Sequence, residues 1–211
     1  MNKQDLIDFE NEVVERFNDG QILSPIHLSG GNEEEVIKVF KDVKPQDWVF
    51  TTYRSHYHAL LKGVDKDWLM KWVLDNKSIH VMNKEHKIVT SAIVGGTLSQ
   101  AVGCAMAIKM KGEDRKVWCF CGDMTASLGV FNDCYKYAML NDLPITFIIE
   151  DNGLSTDTPT EEAWGGKVYF YGGKNVRYYK YKRTWPHYGT NVFVEKLWRD
   201  MKKDDVRAKG F

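Results

Sequence analysis

Two pairs of polar residues, Gly122-Asp123 and Asp151-Asn152, each follow directly on an apolar, β-rich run, KVWCFC before the first and ITFIIE before the second. Each pair therefore falls at the carboxyl end of a strand. If the strands are parallel neighbours joined by the intervening helix, both ends open on one crevice, where open α/β sheets bind ligands. Asp123 and Asn152, 29 positions apart, would there converge as a carboxylate and an amide carbonyl. Such hard oxygen donors suit a magnesium ion carrying a diphosphate. Alone, Asp123 reads as well as a helix N-cap, and Asn152-Gly153 reads as well as a turn. The pairing carries the chemistry.

The elements that must position these groups follow from periodicity. Thr125 to about Leu140 gives a crossover helix of ~24 Å at 1.5 Å per residue, enough to return the chain for parallel pairing. Asn141-Asp142 then turns the chain, and Pro144 is tolerated near a strand start. Upstream, Leu6, Phe9, Val13, Val14 and Phe17 form one helical stripe, with Gly20 as its stop. The loop SPIHLSGGN precedes a helix from about Glu33 to Phe40, and Trp48 to Thr52 reads as a short strand. Asp65 to Leu74 reads as a helix with Trp68, Leu69 and Trp72 inward. Asp75 to Thr90 is polar and irregular, ending in the strand-like Ile88-Val89. A Gly- and Ala-rich helix starts near Ile93 or Gly95; its small residues let it lie close to a sheet, with free N–H groups at its N-terminus. Beyond Asn152, Val168 to Tyr171 and Val176 to Lys182 read as strands and Phe193 to Met201 as a final helix. The expected fold is α/β, a three-layer α/β/α arrangement with a mainly parallel sheet. It forms one domain over 1–211, with 1–20 an N-terminal helix and 165–211 a shortened C-terminal part.

Composition narrows the function classes. With 211 residues, 43% of them hydrophobic, the chain builds one sizeable core. Its 29 basic and 29 acidic residues balance, so no global field recruits nucleic acid or anionic membrane. The N-terminus lacks a signal-peptide apolar region, and Ala92 to Met110 reads as a buried helix rather than a span. Cys104, Cys119, Cys121 and Cys134 have no Cys-x-x-Cys spacing; Cys119 and Cys121 share one face of a strand as small core residues, against the alternative of a zinc site. Four thiols without a disulfide framework point to a reducing, cytoplasmic setting. The stretch NVRYYKYKRTWPHYG interleaves aromatics with cations as single-strand binders do, but alternation along a core-packed strand explains the same pattern. No Gly-x-Gly-x-x-Gly follows a strand, which sets aside a nicotinamide-binding domain.

Several motifs in order resemble one family. Gly122-Asp123-Met124 with Asp151-Asn152 is similar to the thiamine-diphosphate-binding signature, Gly-Asp-Gly followed by Asn-Asn. HLSGGNEE, VFTTYRSHYHALLKG, Ser78-Ile79-His80 and IVGGTLSQAVGCAMAIKMKG each resemble stretches of the alpha subunit of 2-oxo acid dehydrogenases of the pyruvate and branched-chain type, as do Arg183 and His187, four apart. The resemblance covers about residues 20–160. It implies a thiamine-diphosphate-binding fold, with thiamine diphosphate and magnesium as cofactors. Asp123 and Asn152 would hold magnesium through side chains and Leu154 through its carbonyl. Tyr53, Arg54 and His187 would contact the cofactor, the last two near its diphosphate; Ala92 and Val94 would meet the aminopyrimidine end, and Met124 and Thr125 would add N–H groups. His27, His56, His80 and Arg183 would line the approach to the reactive carbon, with His187 counted among the catalytic groups.

The chain departs from that family in several places. Met124 and Ala92 stand where the family has glycines, the glycine-rich approach to Ser-Met-His is missing, and only 31 positions separate Asn152 from Arg183. DNGLSTDT is also similar to transketolases. In the family the activating glutamate comes from a beta-type subunit carrying the pyrimidine domain. The resemblance therefore implies a shortened alpha subunit, active only with that partner in a two-plus-two heterotetramer. It would cleave or form a carbon–carbon bond next to the carbonyl of a small 2-oxo acid or ketose. A split transketolase-like or carboligase subunit and a non-catalytic scaffold subunit are the alternatives.

Overall fold

The structure, a computed structural model, describes residues 1–168 and 173–190. The chain begins with α1 (Lys3–Asn18), α2 (Glu33–Phe40), β1 (Trp48–Thr52), α3 (His56–Leu61) and α4 (Lys66–Trp72). A π-helical turn (Val73–Lys77) and a 3-10 turn (Ser78–His80) lead to β2 (Met82–Asn83), β3 (Ile88–Ser91), α5 (Gly96–Lys111) and β4 (Val117–Gly122). Then come α6 (Asp123–Ala126), α7 (Gly129–Leu140), β5 (Ile145–Asp151), a small hairpin of β6 (Leu154–Ser155) and β7 (Thr158–Pro159), α8 (Thr160–Trp164) and β8 (Val176–Lys180).

Six strands form one sheet in the order β2-β3-β1-β4-β5-β8. All its pairings are parallel except that of short β2 with β3. Successive side chains of a strand point to opposite faces, and both faces here are covered. Val117, Cys119, Cys121, Phe147 and Ile149 pack in the core that holds buried residues of α5 and α7. Trp118, Phe120 and Ile148 pack in the other core, with residues of α1 to α4. Two-sided burial is why β4 and β5 read as continuous apolar runs rather than alternating ones. The expected α/β/α layering with a mainly parallel sheet is what the chain adopts.

Helix α1 starts at a capping box: the Asn2 side chain accepts from the Asp5 N–H, and the Asp5 side chain accepts from the Asn2 N–H. Its stripe of Leu6, Phe9, Val13 and Phe17 is fully buried, each side chain contributing roughly 1.5–3 kcal/mol by leaving water. Gly95, at φ 76°, precedes α5, and the left-handed Gly112 ends it. No described helix is long and apolar enough to cross a membrane.

Four sequence expectations change. The crossover is two helices, because Leu128 is extended (φ −79°, ψ 152°) and restarts the helix as α7. Trp68 and Trp72 are only partly buried and stack on each other, ring centroids 4.8 Å apart, so Leu69 and Met70 take the inward positions of α4. The strand expected over Val176–Lys182 stops at Lys180, where the chain leaves the sheet. Val168 lies outside any strand; the rest of that expected strand and the helix at Phe193–Met201 lie outside the described residues.

Candidate functional site

The strand order sets where a ligand can sit. From β1 the chain passes to β3 on one side and then to β4 on the other, so β1 and β4 diverge at a topological switch point. A cleft opens there, lined by Thr52 at the end of β1, Tyr53 and Arg54 just beyond it, Ser91 of β3, Cys121 to Thr125 at the end of β4, and Glu150 and Asn152 at and beyond the end of β5. Leu154, Ser155, Thr156, Tyr181 and Arg183 close one wall, while Ser29, Asn32, Ile93, Val94, Gly95 and Thr97 complete it. The register pairs Gly122 with Glu150, which brings Asp123 level with Asp151 and Asn152 one residue further out.

Of the expected metal ligands, Asp123, Asn152 and Leu154 all line this cleft. Asp123 is buried, which raises its pKa, while a hydrogen bond from Thr160 opposes the rise. That bond runs from Thr160 Oγ1 to Asp123 Oδ2. Asn152 Oδ1 accepts from the Leu154 N–H at 3.0 Å, and Nδ2 donates to the Tyr181 hydroxyl at 3.0 Å, fixing which end of the amide is which. Pro159, paired with Leu154 across the hairpin, has no N–H to give to the Leu154 carbonyl. Among the described residues no three His, Cys, Asp or Glu side chains gather as a metal centre, and the cysteines build none. At the ends of β4 and β5 the cleft offers instead the Asp123 carboxylate, the Asn152 amide oxygen and the Leu154 backbone carbonyl, the hard oxygen set that magnesium takes alongside phosphate oxygens and water, while the Glu150 carboxylate on the same lining is taken up by Asn32 and Tyr179. Two buried wall atoms, Ser29 Oγ and Asn32 Oδ1, make no hydrogen bond among the described residues, as befits groups that serve a bound polar molecule. The residues fit a metal–diphosphate ligand.

The cationic wall is assembled by a strap. Beyond β8, residues 181–187 cross the Gly30-Gly31 turn, where the Thr184 N–H donates to the Gly30 carbonyl at 3.3 Å. Gly31 has φ 97°, and a Cβ there would lie 2.1 Å from the Lys182 carbonyl oxygen. Only glycine permits this crossing. The strap delivers Arg183, whose guanidinium donates to the Thr156 carbonyl and to Asp157. It also delivers His187, whose carbonyl accepts from Arg54 Nη2 at 3.1 Å and from His27 Nδ1 at 2.6 Å. Arg54 Nη1 donates to the Leu28 carbonyl. Burial lowers the Arg54 pKa, yet a guanidinium stays charged at neutral pH. Burial first, and then the Arg54 charge, lowers His187; burial dominates at His27, holding it down to about 4. Both rings are therefore neutral at pH 7, and the His27 lone pair resides on Nε2. The His27 ring lies 4.5 Å from that of Tyr53.

Other expected site residues lie elsewhere. His56 does not reach the cleft: it is fully buried, with Nε2 2.9 Å from Ser78 Oγ and Nδ1 3.3 Å from Glu10 Oε1. It stands at the start of α3, facing α1, and ties those elements to the 3-10 turn. His80 is exposed outside the cleft, where its carbonyl accepts from Trp72 Nε1. Ala92 is off the lining, whereas its neighbours Ile93 and Val94 are on it and exposed. His27 and His187 stand behind Tyr53 and Arg54 rather than on the wall.

Sequence reading missed Ser29, Asn32, Glu150, Tyr181 and Thr160. Glu150 could have been found as the last residue of β5 before Asp151. It accepts from Asn32 Nδ2 at 3.3 Å and from the Tyr179 hydroxyl. Glu10, also missed, accepts the Ser29 N–H on both oxygens, at 2.8 and 3.0 Å, holding the turn that the strap crosses.

Comparison with known proteins bears on this geometry. The family described as dehydrogenase E1 component matches residues 1–177. The chain belongs to that family. Its relatives include subunit alpha of acetoin:2,6-dichlorophenolindophenol oxidoreductase from Bacillus subtilis, 30% identical over 165 residues, covering 74% of this chain and 50% of that one. Another is the pyruvate dehydrogenase E1 component subunit alpha of Porphyra purpurea, 30% identical over 161 residues, covering 68% and 47%. The corresponding subunit of Zymomonas mobilis is 29% identical over 166 residues, covering 74% and 47%. This E1-family chain spans about half the length of these relatives.

Proposed function

We propose that this E1-family chain is the diphosphate- and magnesium-binding alpha-type subunit of an enzyme that uses thiamine diphosphate on a 2-oxo acid or ketose. The observation that carries the reading is the convergence of Asp123, Asn152 and Leu154 with Arg54 and Arg183 on one cleft at the switch point. In this reading Asp123 Oδ1, Asn152 Oδ1 and the Leu154 carbonyl hold the cation, and Arg54 and Arg183 offset the remaining negative charge. When bound, thiamine diphosphate supplies a carbon nucleophile that labilises the bond next to a substrate carbonyl. The protein's share is binding, orientation and exclusion of water. Neutral His27, braced by the His187 carbonyl, keeps Tyr53 and Arg54 in place. His187, neutral as well, stands behind Arg54 and supports it through its carbonyl.

The exposed Ile93 and Val94 at the cleft mouth leave that side for a second subunit, which would bring the pyrimidine domain and the activating glutamate. Activity then requires the pair, as a two-plus-two assembly. DNGLSTDT keeps a split transketolase-like or carboligase activity as the second reading. Calorimetric titration of the co-expressed pair with thiamine diphosphate and magnesium tests the cofactor reading. Binding is expected, with loss of at least about tenfold in affinity in Asp123→Ala, since a charge-assisted ligand is removed. Absent binding, or binding indifferent to that substitution, overturns it. Assay of the pair with a 2-oxo acid plus lipoamide or an aldehyde separates the two activities.

A further inference from the structure

Thr160 is the first residue of α8 and nearly fully buried, at 4% exposure. Its N–H donates to the Gly153 carbonyl at 3.0 Å, and Gly153 stands between Asn152 and Leu154. Its hydroxyl donates to Asp123 Oδ2. One residue thus holds the loop carrying two oxygen donors through its backbone, and the third donor through its side chain. The far end of α8 is fastened as well, because Trp164 Nε1 donates to Ser127 Oγ at 2.8 Å and that hydroxyl donates to the Met124 carbonyl at 2.6 Å. The hydroxyl that engages Oδ2 is therefore fixed in place, and Oδ1 is left outside the bond.

We infer that Thr160 determines cation specificity, holding Asp123 to one-oxygen coordination so that the cleft prefers magnesium to calcium. The inference rests on the proposed metal–diphosphate reading. Magnesium takes few protein ligands in a near-octahedral shell, and one carboxylate oxygen suffices. Calcium takes six to eight oxygens and readily uses a carboxylate through both. Two-oxygen binding at Asp123 would compete with the Thr160 bond for Oδ2, a cost that falls on calcium alone. Thr160 is a positioning residue, acting through Asp123 rather than on the substrate.

The test titrates the co-expressed pair with magnesium chloride or calcium chloride in the presence of thiamine diphosphate, read by calorimetry. Wild type is expected to prefer magnesium. In Thr160→Val the ratio of magnesium to calcium affinity should move toward calcium by about tenfold, the scale of a hydrogen bond to a charged group, while Thr160→Ser keeps the wild-type ratio. Thr160→Ala serves as the second hydroxyl-free variant if the valine protein does not fold, with circular dichroism checking both. An unchanged ratio in the hydroxyl-free variants, or equal weakening of both cations, overturns the inference and leaves the cofactor reading standing. If wild type binds neither cation with thiamine diphosphate, the cofactor reading itself falls.

Discussion

His27 reads in the sequence as a loop histidine that the family resemblance sets near the reactive carbon, and its burial against Tyr53, Arg54 and His187 gives it a thermodynamic role. Its pKa is lowered from 6.5 to about 4 in the fold, so the unfolded chain binds the extra proton between those values. Stability is then complete above the unfolded pKa near 6.5 and is lost as pH falls toward 4. The ceiling of this loss is roughly 3 kcal/mol, from 1.36 kcal/mol per pKa unit, and His187 adds in the same direction. In His27→Asn, urea unfolding at pH 5 and pH 7 should show a shallower decline with acid than wild type. An identical decline would remove His27 as its source. His56, by contrast, resembles a site residue in sequence and is a core residue in space. Its neighbours Glu10 and Ser78 are 46 and 22 positions away, and no local pattern reveals that α1 and the 3-10 turn close over it.

At the scale of elements, the Gly30-Gly31 turn and the strap that crosses it decide the cationic wall. Replacing Gly31 with alanine sets a Cβ against the Lys182 carbonyl oxygen at 2.1 Å, at a φ of 97°. The expected cost is about 2 kcal/mol or more, combining left-handed strain and the clash, measured by urea denaturation. Displacement of the strap should also loosen Arg183 and His187, so limited proteolysis should gain cleavage within 181–190. Gly20→Ala, where nothing lies within 4 Å of the added methyl, is the control for left-handed strain without a clash. The glycines were visible in HLSGGN, but the segment they admit lies about 150 positions downstream, beyond the reach of spacing arguments. The break at Leu128 was not read from the sequence, although Ser127, whose hydroxyl donates to the Met124 carbonyl, and Gly129 flank it.

Across the whole molecule, one sheet shares its two faces between two cores, and damage to either should be felt in both. Phe147 is fully buried beside Phe131 and Tyr135, with ring centroids 5.5 and 6.2 Å away. Phe147→Ala should cost about 3–5 kcal/mol through the cavity it leaves. Far-UV and near-UV circular dichroism should lose signal in a single coincident transition, because β4 and β5 carry residues of both cores. Separate transitions would show that the two faces fold as independent units.

Local pattern by itself determined the strands β1, β4 and β5, the helix α2 over Glu33–Phe40, and the placing of Asp123 and Asn152 at strand ends. These follow from apolar runs bounded by polar residues, a signal written within a dozen neighbours. The tertiary structure alone decided that Thr160 meets Asp123, that Arg54 and His27 share the His187 carbonyl, and that His56 is sealed inside. Those contacts join residues 22 to 160 positions apart. They form only when burial of both sheet faces fixes how the helices and the strap lie across the strands.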